Sequence, residues 1–200
     1  MMRDYFNERA AEWDKQSSEK DKGKLERMAA RLDLKPGMTV LDIGTGTGVF
    51  LPYLAGATHA DGRVIAQDIA GKMLSRARSK GISGNIDYIC ASVEDAPLVA
   101  GTCDAAVCYS SLPHFRNRMK ALQQIKRVLK NDGWLYVCHT SGRETINRIH
   151  SQVPVLHHDL LPDASEMYSL LIMTGFTQVL VEDKEDSYFA RARKPALNYG

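Results

Sequence analysis

The sequence of 200 residues predicts a single α/β domain built on an open, doubly wound and mostly parallel sheet. Two observations support this prediction. An apolar strand pattern at 40–43 runs directly into three closely spaced glycines, Gly44, Gly46 and Gly48. A pattern compatible with a helix then follows at 49–57. A strand, a glycine loop and a helix in this order form the nucleotide-binding crevice of an open α/β sheet.

The spacing of the glycines narrows the class of ligand. A dinucleotide fingerprint reads G-x-G-x-x-G, but here the third glycine comes one residue early and Val49 stands in its place. No Lys-Ser/Thr pair follows the loop, which excludes a P-loop. Asp42, just before the first glycine, would repel a pyrophosphate and suits a ligand with an ammonium or sulfonium charge.

The segment from Val40 to Gly48 resembles motif I of the class I S-adenosylmethionine-dependent methyltransferases. The resemblance implies S-adenosyl-L-methionine as the cofactor. It also implies the Rossmann-like methyltransferase fold, a sheet of seven strands with an antiparallel C-terminal strand. Residues 123–137 are similar to the family's helix-to-strand passage, which ends in Arg-Val-Leu-Lys-Pro-Gly-Gly. Several motifs occur in the family's order, so the resemblance covers most of the chain.

Asp68 is the candidate ligand of the cofactor's ribose. It ends the second predicted strand, 63–67, and an acid at this place accepts hydrogen bonds from both ribose hydroxyls of a nucleoside. The alternative is that Asp68 only caps the helix predicted at 71–80.

Residues 91–98 follow the third predicted strand, 85–90, and resemble the family's Gly-Asp-Ala-Glu-Asp-Leu-Pro-Phe segment. Where the family has an Asp that accepts from the adenine amino group, this chain has Ser92, whose hydroxyl is a weaker acceptor. Val93 is expected against the adenine ring. The complete set expected to bind the cofactor is Asp42, Gly44, Thr45, Gly46, Asp68, Ile69, Ser92, Val93 and Tyr109.

The segment 109–115, after the fourth predicted strand at 103–108, falls at the carboxyl edge of the sheet, where crevice ligands bind. It lacks the Asn/Asp-Pro-Pro-Tyr/Phe element of exocyclic-amine nucleic-acid methylases and the Pro-Cys pair of 5-methylcytosine methylases. It resembles instead the Ser-Ser/Val-Leu-His-His-Phe segment of small-molecule methyltransferases, with Pro113 in place of the first histidine. The resemblance therefore implies a small-molecule acceptor and no nucleic-acid partner. His114 either faces the sulfonium or acceptor, or is a packing or capping histidine.

Five of the six histidines lie between residues 114 and 158, and three interpretations of this clustering stay open. In the first interpretation they are surface or capping residues. In the second, one of them is a general base in the acceptor pocket, since imidazole titrates near neutral pH and can accept a proton there. The third interpretation is a metal site, although no pair has a familiar ligand spacing. Its candidate ligands are His139, His150, His157 or His158, and Asp159. The candidate catalytic residues are His114, His139 and His150.

The chain is predicted to be one methyltransferase domain, 1–200, with a helical N-terminal lid at 1–35 and an acceptor-side helical insertion at 139–176. A helix at 3–15 places Phe6, Ala10 and Trp13 on one face. It either packs on the domain or covers the cofactor and acceptor, as the N-terminal Tyr-Phe…Trp-Asp segment of similar small-molecule enzymes implies. Tyr5 and the loop 150–159 are expected to shape the acceptor site. The polar segment 16–22 is expected to be mobile, and a second helix follows at 24–32.

Two capping-box patterns, Ser141 with Glu144 and Asp163 with Glu166, predict the helices of the insertion. The other predicted elements of the C-terminal half are a helix at 117–129 stopped by Asn131-Asp-Gly133, a strand at 134–138, and strands at 177–181 and 187–193.

Composition is that of an ordinary globular domain, and the net charge of +2 is too small to imply a nucleic-acid or membrane partner. No apolar run reaches the ~18 residues of a membrane span, and the charged N-terminus lacks a signal-peptide pattern, so we expect a cytoplasmic protein. The four cysteines are expected to be reduced and buried. Two other functions stay open: a methylase of protein or RNA, and a non-catalytic cofactor-binding partner subunit. The oligomeric state is not predicted.

Overall fold

A seven-stranded sheet forms the centre of the computed structural model, which describes residues 2–16 and 21–196. Its strands are β1 (Thr39–Ile43), β2 (Arg63–Asp68), β3 (Ile86–Cys90), β4 (Cys103–Tyr109), β5 (Leu129–His139), β6 (Thr177–Asp183) and β7 (Tyr188–Arg193). The strand order is β3-β2-β1-β4-β5-β7-β6. Only β7 runs antiparallel to its neighbours β5 and β6. The predicted fold class, including the antiparallel C-terminal strand, is confirmed.

Helices cover both faces of the sheet. They are α1 (Met2–Arg9), α2 (Trp13–Gln16), α3 (Lys22–Ala29), α4 (Leu51–Thr58), α5 (Gly71–Ser79), α6 (Arg118–Val128), α7 (Arg143–Ser151) and α8 (Ala164–Met173). Residues 17–20, from the segment expected to be mobile, lie outside the described residues. Within the described ranges no helix is long and apolar enough to cross a membrane.

The interior strand β1 shows how helices pack on both faces of the sheet. Leu41 packs in one cluster with Leu122 of α6, whereas its neighbour Val40 packs in another with Leu51 of α4. Successive side chains of a strand point to opposite faces, so an apolar run buries both. The carboxyl ends of the parallel strands therefore stay as the open edge between the two layers.

The predicted helix at 3–15 is wrong in its continuity and right in its buried face. The chain forms α1 and α2 with a turn between them, in which Glu12 N–H donates to Arg9 O. Phe6, Ala10 and Trp13 nevertheless belong to one cluster with Met73 of α5. The turn also brings Asp14 to the glycine loop, where it accepts a hydrogen bond from Thr47 Oγ1 at 2.6 Å.

Two other predicted boundaries are wrong. The helix after the glycine loop begins at Leu51, with Pro52 in its first turn, a position that needs no N–H donor. The helix predicted at 117–129 ends at Val128, because Leu129 is already extended and pairs with Cys103 as the first residue of β5. The sequence Asn131-Asp-Gly133 therefore interrupts the register inside β5 and does not stop the helix.

One of the two predicted capping boxes forms. Asp163 accepts from Glu166 N–H at 2.9 Å while the Glu166 carboxylate accepts from Asp163 N–H at 3.0 Å. The box at Ser141 is absent, because α7 starts after Gly142 with no side-chain cap. A Cβ at Gly142 would lie 2.1 Å from Glu185 O, so close packing against the turn before β7 sets this helix start.

The cysteines are all free, as expected, but their burial differs from the prediction at one position. Cys103, Cys108 and Cys138 are buried in the central strands. Cys90 is exposed, because it ends β3 at the edge of the sheet.

The capping box of α8 gives a test of this local structure. Asp163→Ala removes the side-chain acceptor for Glu166 N–H, and we expect the free energy of unfolding to fall by about 1 kcal/mol. Asp186→Ala changes an exposed carboxylate in the turn between β6 and β7 and should cost less than about 0.5 kcal/mol. Urea unfolding of both variants measures the difference, and equal losses would contradict the capping role.

Candidate functional site

A cleft of about 1620 Å³ opens where β1, β2 and β4 end. One side consists of the glycine loop, the end of β2 and the turn at 91–95. The opposite side consists of α7 and the loop 153–159, and α1 lies over the boundary between them. Pockets for one small ligand commonly measure about 300–1,000 Å³, so this cleft has room for two ligands side by side.

The glycine loop is held by backbone hydrogen bonds in a shape that favours glycine. Gly44 and Gly46 have φ angles of +71° and +55°. Gly44 N–H donates to Gln67 O at 2.8 Å, and a Cβ at Gly44 would lie 2.5 Å from Ser111 Cβ. The loop is therefore pressed between β2 and the turn after β4, while around Gly46 the nearest atom to an added Cβ is 4.0 Å away.

Asp68 connects the loop to the next helix. It is 7% exposed and lines the cleft. One carboxylate oxygen accepts from Gly46 N–H at 2.8 Å and the other from Ala70 N–H, just before α5, at 2.7 Å. Burial raises the pKa of Asp68, while these N–H groups and the charge of His114 oppose the rise. Asp68 therefore has the position that both interpretations need. It supports the start of α5, as a helix cap would, and it lines the cleft, as a ribose ligand would.

Asp42 lies below the loop. It is 1% exposed, it accepts a hydrogen bond from the Thr45 hydroxyl, and it is missing from the described residues that line the cleft. Burial raises the pKa of Asp42 to about 7. The hydrogen bond from Thr45 lowers the pKa, and the nearby charge of Asp68 raises it. The expectation of direct contact with a cationic ligand therefore has no support from its position.

The other eight residues expected to bind the cofactor all line the cleft. The Ser92 hydroxyl accepts from Glu94 N–H at 3.3 Å and so caps the short 3₁₀ turn Val93–Asp95. The Tyr109 ring stacks on Phe50 with centroids 4.5 Å apart, and its hydroxyl lies 2.9 Å from Thr140 Oγ1. These contacts fix both side chains at the edge of the ligand space.

Two of the candidate catalytic histidines lie together, on the α7 side of the cleft. His114 Nδ1 lies 2.8 Å from Asp159 Oδ2, and His150 Nδ1 lies 2.6 Å from the backbone O of the same residue. The two rings are 4.9 Å apart. Burial lowers the pKa of His150, which favours its neutral ring. The third candidate, His139, also lines the cleft but packs against Tyr188 with ring centroids 6.2 Å apart.

The remaining histidines separate the three interpretations of the cluster. His157 and His158 are exposed, with rings 3.7 Å apart, as the surface interpretation expects. In the described parts of the chain, no group of three His, Cys, Asp or Glu side chains is placed to hold a metal ion. The metal interpretation therefore has no geometric support, whereas His114 and His150 fit the acceptor-pocket interpretation.

The N-terminal helices reach both sides of the cleft. Arg3 Nε donates to Ile69 O at 3.1 Å, next to Asp68 in the chain. The Phe6 ring meets the His114 ring edge-on at 5.1 Å, on the α7 side of the cleft. Tyr5 is largely buried and lines the same space, with the Arg9 guanidinium 3.9 Å above its ring. Residues of α1 therefore contact both sides of the cleft, and their role as a lid stays a prediction.

Comparisons of the sequence and of the structure with known proteins all identify methyltransferases. Residues 41–137 match the methyltransferase domain family. The ubiquinone/menaquinone biosynthesis C-methyltransferase UbiE of Idiomarina loihiensis is 30% identical over 161 residues, which cover 78% of this chain and 58% of that protein. A SAM-dependent methyltransferase from Aquifex aeolicus superposes with a TM-score of 0.71 at 26% identity, over 87% of this chain and 94% of that one. The chain belongs to the class I S-adenosylmethionine-dependent methyltransferases.

More distant structures share the fold of this methyltransferase. The Haemonchus contortus phosphoethanolamine N-methyltransferase 2, solved in complex with S-adenosyl-L-methionine, superposes with a TM-score of 0.77 at 18% identity. The match covers 98% of this chain and 60% of that chain. The chain also spans less than two thirds of the UbiE protein, so it corresponds to part of each of these relatives.

Two contacts of this methyltransferase's site escaped the sequence prediction. Asp14 binds the glycine loop through Thr47 and also pairs with Lys80 at 3.0 Å. Asp159 is predicted as a metal ligand and as part of the loop 150–159, and the structure pairs it with two histidines. The contacts of Asp14 with Thr47 and of Asp159 with His114 join residues far apart in the chain, and spacing alone contains no signal for such pairs.

Glycine 44 tests how tightly the loop of the methyltransferase is packed. Gly44→Ala adds a Cβ that collides with Ser111, whereas Gly37→Ala, at a φ of +81°, has no heavy atom within 4 Å. Both variants carry the strain of a positive φ, about 1–2 kcal/mol. We expect Gly44→Ala to lose a further ~1–3 kcal/mol of unfolding free energy from overpacking, measured by urea unfolding. Equal losses would show that the loop is not pressed against Ser111.

Asp42 should make stability depend on pH. Burial raises the pKa of Asp42 from its ordinary value of 3.8 to about 7, so between these pH values the folded protein binds a proton that the unfolded chain releases, and stability falls as pH rises through this range. The full loss is on the order of 4 kcal/mol. Asp42→Asn has no ionisable side chain at this position and lacks this pH-dependent loss. The free energy of unfolding of the variant minus that of the wild type, measured by urea unfolding, should therefore increase between about pH 4 and about pH 8. A constant difference between the two proteins would rule out this assignment.

Proposed function

We propose that this chain transfers the methyl group of S-adenosyl-L-methionine to a small-molecule acceptor. One observation carries the proposal: a single cleft joins a glycine loop and a buried carboxylate on one side to a compartment of histidines and apolar side chains on the other. The first side suits a nucleoside, and the second side suits a separate acceptor beside it.

The residues present fit this cofactor. The open backbone at Gly46 allows a close approach to the loop. Asp68 uses each oxygen for one backbone N–H, and each oxygen retains acceptor capacity for a ribose hydroxyl. Ser92 and Val93 would border the adenine, and Tyr109 would border the rest of the molecule. When bound, the cofactor supplies an electrophilic methyl group on a sulfonium sulfur.

The contribution of the protein is largely positional. Holding the acceptor in line with the methyl carbon can supply ~7–11 kcal/mol of the barrier. The placement of α1 over the cleft would exclude water from this space. Among the three catalytic candidates, His114 and His150 are best placed to hold or accept an acceptor proton, and His139 would shape the wall beside Tyr188.

The names of the relatives support a small-molecule acceptor. UbiE is a C-methyltransferase of ubiquinone and menaquinone biosynthesis, and the Haemonchus protein is a phosphoethanolamine N-methyltransferase. Their acceptors differ in the atom methylated, so the acceptor of this chain has to be read from its own residues.

Calorimetric titration with S-adenosyl-L-methionine and S-adenosylhomocysteine tests the proposal. We expect micromolar binding of both ligands and release of S-adenosylhomocysteine when a suitable acceptor is added. No binding of either ligand would refute the proposal. Binding without turnover over a broad panel of small molecules, proteins and RNA would favour the non-catalytic subunit instead.

Asp68→Ala tests the ribose assignment. We expect S-adenosylhomocysteine to bind about 10- to 100-fold more weakly, the scale of hydrogen bonds to a charged group. Asp68 also binds the N–H groups of Gly46 and Ala70, so its loss could disturb the site itself. A second comparison isolates the ribose: the affinities for adenosine and 2′,3′-dideoxyadenosine are measured for the wild type and for Asp68→Ala. Loss of the hydroxyls should weaken binding to the wild type and have little effect on the variant. An equal effect on both proteins would remove Asp68 from the ribose.

A further inference from the structure

Asp159 contacts both histidines of the acceptor side. Its carboxylate meets His114 Nδ1 at 2.8 Å and its backbone O meets His150 Nδ1 at 2.6 Å. The side chains of His114 and Asp159 are only 14% and 18% exposed. Both residues line the cleft, so the pair borders the space proposed for the acceptor.

The position of Asp159 is fixed by the residues that follow it. Asn147 of α7 binds Leu161 twice, accepting from its N–H at 2.7 Å and donating to its O at 3.1 Å. The Arg118 guanidinium of α6 donates to Leu160 O. Two helices therefore hold this end of the loop, and the carboxylate needs no rearrangement to reach His114.

This geometry sets the tautomer of His114. A carboxylate only accepts hydrogen bonds, so the neutral ring places its hydrogen on Nδ1 and its lone pair on Nε2. The backbone O of Asp159 imposes the same tautomer on His150. Since Nδ1 is used in both rings, proton exchange with a ligand in the cleft falls to Nε2.

The apolar lining beside this pair indicates the chemistry of the acceptor. Ile149 and Val155 line the cleft and remain 44% and 40% exposed. Ile146, Val153 and Leu156 line the same side. Exposed apolar side chains inside a cleft favour a ligand with a large apolar surface, and a few polar groups then fix its orientation.

We propose that His114 and Asp159 form a dyad that accepts a proton from the methyl acceptor, which is a largely apolar phenol or thiol. His114 is the catalytic base and Asp159 is its positioning residue. This inference rests on the proposed methyltransferase function and names the acceptor class of the same site.

The step balances in atoms and charge. The acceptor oxygen or sulfur forms a bond to the methyl carbon, the bond from that carbon to the sulfonium sulfur breaks, and its electron pair stays on the sulfur. The acceptor proton passes to His114 Nε2. The positive charge lost from the sulfonium appears on the imidazolium, where the Asp159 carboxylate stabilises it.

The test compares Asp159→Asn with Asn147→Ala. The first variant removes the charge and the tautomer control, whereas the second loosens the same loop and leaves the carboxylate in place. The probes are 4-methoxyphenol, catechol and thiophenol, with benzylamine as the amine control and S-adenosylhomocysteine release as the readout. We expect Asp159→Asn to lower kcat about 10- to 100-fold and His114→Gln about 10²- to 10⁴-fold, with unchanged affinity for S-adenosyl-L-methionine. Asn147→Ala weakens the support of Asp159 but keeps its carboxylate, so its kcat should fall by less than the kcat of Asp159→Asn.

Nitrogen-15 NMR of the histidine rings gives a readout that a purely structural role would not move. In the wild type and in Asn147→Ala, His114 should carry its hydrogen on Nδ1, and in Asp159→Asn this preference should be lost. Equal losses of kcat in Asp159→Asn and Asn147→Ala, or an unchanged tautomer in Asp159→Asn, would overturn the dyad. If the wild type binds S-adenosyl-L-methionine but methylates no phenol or thiol, the acceptor class is wrong while the proposed function stands. Failure to bind the cofactor would refute both.

Discussion

The carboxylate of Asp68 accepts hydrogen bonds from two backbone N–H groups that belong to different parts of the chain, and the cleft depends on this link. Gly46 lies in the loop after β1, and Ala70 precedes α5. Each charge-assisted bond contributes about 1.5–3 kcal/mol, which offsets part of the cost of burying the carboxylate. Without this connection the glycine loop would keep its hydrogen bonds to Gln67 and Asp14, but its direct link to the start of α5 would be lost. The same carboxylate lines the cleft, so its structural role and its proposed role in binding the ribose fall on one side chain.

His114 has a comparable position on the other side of the cleft. Its ring contacts Phe6 from α1, lies within 4.9 Å of the His150 ring of α7, and binds Asp159 from the loop that follows α7. Helix α1, helix α7 and the loop that follows α7 therefore meet at one imidazole. A change in the position or charge of this ring would therefore act on these segments together.

The fold was predictable because its signals are local. The run at 40–43 with its glycines, the acid at 68 and the capping box at Asp163 each express a rule that neighbouring residues satisfy by themselves. The failures are tertiary. Ser141 does not cap α7 because Gly142 must pass close to Glu185, and Asn131-Asp-Gly133 lies inside β5 because Leu129 pairs with Cys103. In the site, eight of the nine residues expected to bind the cofactor line the cleft, because they follow or end strands whose carboxyl ends meet there. The burial of Asp42 and the pairing of Asp159 with His114 depend on long-range packing that spacing does not encode.

The strand order has a consequence for how the sheet is completed during synthesis. Strand β7 lies between β5 and β6, so β6 occupies the edge and reaches the sheet only through β7. The ribosome makes β6 first, but it has no place in the sheet until the later strand has docked on β5. The two strands must therefore join as a preformed hairpin, or β6 must wait for β7. In either case the last pairing in the sheet cannot form until the chain has been made as far as Arg193, and truncation before β7 would remove two strands from the sheet instead of one.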